Sequence, residues 1–345
     1  MNRIALAFTA LTCTAGLAAA VQAAPASSTG GYKLVASVPL GAPDRWDYVV
    51  SDPQTGRVYV AHGDHVAVLD GRAGTLIGDV AGISGGTHGF GLANANGKLF
   101  ADDGKNGLAV AIDPKSLKIT GQIKVEEDAD GIARDAATGR IFVIEGDTKK
   151  IGVIDPKTNK VLAQIDTGEG LEYGAGDGRG FVYVAGVEKR TVLKINARTL
   201  KIAARWSAPT CERPHGLAVD GVGHRVFMSC TNSQMVVLDG INGKIVATLP
   251  IGRGSDAAAW DPKRKRAFSS NGADGTISVY RQISPNRYEA LETVKTAVSG
   301  RTMDVDPVTG RLYVAAAEVS APAQPGGRPR PVPGSMKLMI FAPIP

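Results

Sequence analysis

Residues 52–60 read DPQTGRVYV, and two close copies follow: DAATGRIFV at 135–143 and DPVTGRLYV at 306–314. Each is an Asp, a short turn, a Gly-Arg pair and a run of β-branched and aromatic residues, the signature of a turn feeding a strand. Weaker copies are NANGKLF (94–100), DGRGFVYV (177–184), DGVGHRVFM (220–228) and DPKRKRAFS (261–269). The first residues of all these copies recur every 41 to 45 positions.

A second half-motif follows each copy, as in VAVLDGRAGTLIGDV (66–80), GVIDPKTNKVLAQI (152–165) and VVLDGINGKIVATL (236–249). The last, MKLMIFAPIP (336–345), stops after one strand. Its missing partner lies at the other end of the chain, where YKLVASVPLG (32–41) resembles KVLAQIDTG (160–168) and KIVATLPIG (244–252). Four short strands per repeat, closed by a strand from the opposite terminus, predict an all-β fold: a seven-bladed β-propeller whose last blade is closed by the N-terminal strand. A linear solenoid would carry polar capping repeats in place of two complementary half-repeats. The 43 glycines fit a chain rich in turns. The repeated Asp and Thr-Gly positions are turn formers, so Asp52, Asp155 and Asp306 are assigned no chemistry.

The first 28 residues, MNRIALAFTALTCTAGLAAAVQAAPASS, hold Arg3, an apolar run from Ile4 to Val21 and a Val21-Gln22-Ala23 cleavage pattern. Residues 1–23 therefore read as a signal peptide, 24–31 as a flexible segment and 32–345 as the propeller, which places the protein in the periplasm. Cys13 as a lipobox cysteine is the rival, but ALTC comes early in the apolar run. No later run approaches the ~20 apolar residues of a spanning helix, so no membrane span is expected. In an oxidising compartment Cys211 and Cys230 are expected to form a disulfide, with two buried thiols as the alternative. The formal charge of +6 is modest for this length and argues against nucleic acid as a partner.

The strands GRVYV (56–60) and GRLYV (310–314), with VIDPKTNKV (153–161), RWDY (45–48) and GRTMDVDPVTGRLYVAAAE (300–318), resemble the YVTN-repeat, or YncE-like, β-propellers of bacterial envelopes. The resemblance covers nearly the whole mature sequence. It implies the seven-bladed fold and an exported location, and the cysteine pair is similar to a pattern in one branch of that family. It supplies no agreed activity, so no functional residue is carried across.

In a propeller the inner strand of each blade lines a central channel, and loops on a rigid frame carry most ligand sites. The residue five places before each turn Asp begins that strand. This spacing selects Asp47, Asp130, Glu172, His215, Asp256 and Arg301, with His88 six places before Asn94. Every blade thus offers an ionisable group at the channel mouth as a candidate ligand-binding residue. His88, Asp130, Glu172 and His215 are of the types that hold a divalent transition metal. The competing picture is a hydrated polar funnel in which Arg301 and the histidines balance the carboxylates. Trp46 is the candidate for stacking on a ligand, while Phe90, Tyr173 and Trp260 are expected to pack between blades. His62, His65, Asp102, Asp103, Glu145 and Glu318 belong to the same face. A disulfide there would pin the loop that delivers His215. The Pro- and Gly-dense stretch 318–335 interrupts the last blade as a lid, as a partner site using Arg328 and Arg330, or as a plain insertion.

Other motifs fail on context. GISGG (82–86) lacks the strand-to-helix turn of a serine nucleophile, and GAGDGRG (174–180) opens no helix and has no P-loop lysine. Two functional classes remain. One is an exported monomeric propeller binding a small molecule, a metal or an envelope protein at the channel mouth. The other is a metal-dependent hydrolase or lyase, lactonase-like, with the ring as its active site. Single-stranded nucleic acid is disfavoured, because ring carboxylates repel phosphates.

Overall fold

The Asp-x-x-x-Gly turns fold as their residue types require. The Asp52 carboxylate accepts hydrogen bonds from the Gln54 amide and the Thr55 hydroxyl. Gly56 donates its amide to the Asp52 carbonyl and sits at φ +76°, a left-handed conformation that strains any residue with a Cβ. Asp135 and Asp306 accept from Thr138 and Thr309 in the same way. Each turn reverses the chain from the inner strand of a blade into the second.

The computed structural model of the protein describes residues 31–93, 97–321 and 329–344. Residues 1–23 and nearly all of 24–31 lie outside them, as does Arg328. The described strands form seven four-stranded sheets and one two-stranded sheet. The inner strands are Val49–Ser51, Phe90–Ala93, Ala129–Arg134, Leu171–Gly176, Pro214–Asp220, Ser255–Asp261 and Thr302–Val305, for blades one to seven. In blade seven the N-terminal strand Tyr32–Pro39 pairs with the C-terminal strand Lys337–Pro343, with Tyr32 opposite Pro343 and Pro39 opposite Lys337. The predicted closure of the last blade is therefore present. Among the described residues, no helix is long and apolar enough to cross a membrane.

The alternation of apolar residues along each strand fills the spaces between blades. Seven buried clusters result, one for each pair of neighbouring sheets. Between blades three and four, for example, Phe142, Ile144 and Val153 meet Val182, Val184 and Leu193. Each blade thus rests on both neighbours, and no blade has a core of its own. Cys211 and Cys230 form a disulfide with their Cα atoms 5.2 Å apart. It ties the loop entering blade five to the end of that blade's second strand, where Pro214 pairs with Cys230.

The 318–335 insertion leaves blade seven after the strand Leu312–Ala316. Val319 and Ser320 pair with Pro331 and Arg330 in a short ladder. The amides of Gly334 and Ser335 donate to the Asp44 carboxylate, which anchors the base of the insertion to the loop entering blade one.

Candidate functional site

Four of the ring residues owe their aim to irregular pairing. The register of the inner strand slips between Ala129 and Gly131, Leu171 and Gly174, Pro214 and Leu217, and Ser255 and Ala257. Asp130, Glu172, His215 and Asp256 all fall within these slips. A β-bulge frees a residue from the ladder and re-aims its side chain. In blade one, Asp47 and Tyr48 both face Ala61, through Asp47 N–H to the Ala61 carbonyl and Ala61 N–H to the Tyr48 carbonyl.

The ring is not evenly connected. His215 Nδ1 lies 2.8 Å from Asp256 and 3.2 Å from Glu172, and Arg301 Nε lies 3.2 Å from the other Asp256 oxygen. Burial opposes a charge on His215, but the Asp256 and Glu172 carboxylates outweigh it and push the pKa up to about 10. Burial likewise favours a neutral Asp256, yet its contacts with His215 and Arg301 hold it below the usual carboxylate range. Blades four to seven therefore share one charged network.

His88 is turned elsewhere. Its Nδ1 donates to the Ala129 carbonyl at 3.0 Å and lies 3.4 Å from the buried Asp102 carboxylate. Its Nε2 faces Arg45 Nη2 at 3.1 Å, where it can only accept. Burial works against protonation, and Asp102 reverses this to raise the pKa to about 9. A ring with its proton on Nδ1 and its lone pair on Nε2 meets both contacts. Arg45 is exposed while Asp102 is fully buried, so the Nδ1 contacts are the fixed ones and the Nε2 contact is the adjustable one.

Asp47 and Asp130 stand apart from these pairs. Burial, reinforced by Asp256, pushes Asp47 well above the usual range. Burial and the Asp128 charge raise Asp130 to about 7. Burial thus disfavours charge on both carboxyls, and an opposite charge brought beside them would favour it.

Beneath the ring the channel is closed. The residues that follow the ring positions are Tyr48, Gly89, Gly131, Tyr173, Gly216, Ala257 and Thr302. Two tyrosines reach in from opposite sides and stack with centroids 3.9 Å apart and planes 27° apart. The small residues make room for them: a Cβ on Gly131 would lie 3.3 Å from the Tyr173 ring. Tyr173, expected between blades, instead spans the channel. The ring is therefore the rim of a shallow cup with an aromatic floor.

The remaining rim residues are largely committed to backbone. Asp102 accepts from the amides of His88 and Gly89, Asp103 from Gly85, and Glu145 from Glu126 and Gln164. His62 meets the Pro43 carbonyl, and His65 pairs with Asp64. Trp46 is 6 % exposed; its carbonyl accepts from Arg301, whose guanidinium lies 5.9 Å over its ring. A cavity of about 260 Å³ opens beside them, walled by Arg45, Trp46 and Arg301 on one side and Val319, Pro329 and Pro331 on the other.

Glu172, His215 and Asp256 each offer one ligand atom, all within 4.8 Å of one another. That set differs from the four residues selected by sequence, with Asp256 joining and His88 and Asp130 placed outside it. The His215 proton occupies the position an ion would take between the carboxylates.

A family model described as glutamine cyclotransferase matches residues 67–207, from the third strand of blade one through blade four. The matched part holds His88, Asp130 and Glu172. Among curated proteins, none matches the sequence. Solved structures with the same fold include hydrazine synthase of Kuenenia stuttgartiensis, at TM-score 0.66 and 14% identity over 78% of this chain and 92% of that one. A component of the mitotic checkpoint complex aligns at TM-score 0.71 and 14% identity over 99% of both chains. U3-55K aligns at 0.73 and 9% over 92% of this chain and 99% of that one. At these identities the likeness is one of fold alone.

Proposed function

We propose that the protein is an exported propeller that binds a small ligand through a protonated amine at the channel mouth. What carries this is the placement of three carboxyls, Asp47, Asp130 and Glu172, at the channel mouth above the stacked Tyr48 and Tyr173, where burial pushes Asp47 up and Asp130 to about 7. Burial penalises charge on both carboxyls, and an ammonium set against them favours their ionised form. Arg45 and Arg301 stand at the edge of the same cup, beside the Trp46 cavity, where a carboxylate of the same ligand finds a partner. An α-amino acid or a peptide N-terminus has this pattern of charges. Export is supported by the disulfide and by the resemblance to envelope propellers.

A second reading is catalytic, and the glutamine cyclotransferase match favours it. In that reaction the α-amine of an N-terminal glutamine attacks its own carboxamide carbon. A ring C–N bond forms, the carboxamide C–N bond breaks, and the amine's proton leaves with ammonia. A carboxyl with a pKa of about 7, such as Asp130, is suited to carry that proton. A metal-dependent hydrolase or lyase would use Glu172, His215 and Asp256, and would require His215 to surrender its proton and Asp256 to release Arg301.

Titrating the mature protein with glutaminyl-glycine tests these alternatives together. Amine binding requires saturable binding that weakens at least tenfold in Asp130→Asn and Glu172→Gln. Ammonia release on incubation adds the cyclase step, and tighter binding of Zn²⁺ than of the peptide would favour the metal enzyme. Absence of peptide binding in the folded parent overturns the proposal.

A further inference from the structure

The tyrosine pair has a second side. Between it and the face carrying the Asp turns, the channel widens into two adjoining cavities of about 230 and 200 Å³. Both are bounded by Val50, Tyr173, Ala175 and Gly176, so they form one chamber under the aromatic floor. Phe90, Leu92 and Ile132 line one half; Leu217, Ala258 and Met303 line the other. From Tyr173 to Gly176 the strand advances three residues, making the chamber roughly 10 Å deep at about 3.3 Å per residue.

Two charged groups line this wall, whose other side chains are largely apolar and between which backbone polar atoms are also exposed. Asp304 is already engaged, accepting from the Ser51 amide at 2.7 Å and the Ser51 hydroxyl at 2.9 Å. Arg134 lies in the other half, at the end of its strand nearest the mouth. Its Nε is buried with no hydrogen-bond partner. A buried donor left unmet is costly, and a guanidinium is the group best shaped to hold a carboxylate. Trp260 borders both the chamber and a groove of about 460 Å³ that runs under the long hairpin of blade six.

We infer that the chamber is a second binding site, separate from the ring, for a monocarboxylate with a medium-length aliphatic tail. The tail lies against Val50, Leu92, Ile132 and Leu217, and its head group meets Arg134 at the mouth. Size and wall chemistry match an apolar body with a single anionic end.

Calorimetric titration of the mature protein with octanoate tests this. The parent binds octanoate; Arg134→Gln weakens binding at least tenfold, and Ala175→Leu, which fills the chamber, abolishes it. Octanol, which has the tail but no carboxylate, binds no better than octanoate binds Arg134→Gln. Glu172→Gln, on the ring side of the tyrosines, leaves octanoate affinity within twofold of the parent, which separates this site from the amine site. Octanoate affinity unchanged in a folded Arg134→Gln protein, or no octanoate binding in the parent, overturns the inference.

Discussion

Tyr48 of blade one and Tyr173 of blade four meet face to face across the channel, with ring centroids 3.9 Å apart. This contact divides what propeller topology would leave as one tube into an ionisable cup and an apolar chamber. It also links two blades that share no sheet edge. Tyr173 is half-buried, so Tyr173→Ala is expected to cost about 2 kcal/mol, below the range for deleting a fully buried aromatic ring, and to join the two compartments. A urea titration measures the first effect. A loss below about 0.5 kcal/mol would show that the stack carries no stability.

The pH dependence of folding follows from His215. Folding raises its pKa from 6.5 to about 10. Its contribution is therefore whole below pH 6.5 and is lost as pH climbs toward 10. Asp130 has the same sign in a different window, because its folded pKa is raised from 3.8 to about 7: stability falls as pH rises through that interval. Asp256→Asn should flatten the curve between pH 6.5 and 10, and Asp130→Asn should flatten it between 3.8 and 7. Urea midpoints across the pH range check both, and parallel curves for parent and variants would contradict them.

The ring was legible in the sequence because a fixed spacing from each turn Asp selects a single position per blade. The way those side chains pair was not. Whether His215 reaches Asp256 or His88 depends on how each bulge rotates its residue, and a one-residue slip leaves no mark in an alternating strand. The tyrosine floor did have a signal: the position after each ring residue is Gly, Ala or Thr in five blades and Tyr in blades one and four. Large residues at opposite points of a circle of small ones fill its centre. Arg45 was missed because it precedes the inner strand and follows no repeat.

Reduction should destabilise the protein by about 3 kcal/mol, the value for opening a loop the size of the 19-residue Cys211–Cys230 separation. The loop it pins leads directly into His215, so ligand affinity at the ring should fall as well. Comparing urea midpoints and peptide titrations with and without dithiothreitol checks both. Lost stability with unchanged affinity would limit the disulfide to a structural role.

The closing strand makes a further demand. Removing residues 32–39 uncovers the Lys337–Pro343 strand and deletes the buried Tyr32 and Val38. At about 1.5–3 kcal/mol for each buried residue, the loss should exceed 3 kcal/mol and leave an exposed sheet edge prone to association. Thermal melting with light scattering reads both. A monomeric variant melting with the parent would show that the first strand is dispensable.

The central claim, an ammonium site at the channel mouth, is tested most directly by changing the ligand charge and nothing in the protein. Calorimetric titrations of the protein with glycyl-glycine and with N-acetyl-glycyl-glycine, at low and at physiological salt, separate charge from shape. The account predicts saturable binding of the free-amine peptide, at least tenfold weaker binding of the acetylated one, and a difference that narrows as salt screens the half-buried ring. Equal affinities for the two peptides, or tighter binding of the acetylated one, would contradict it.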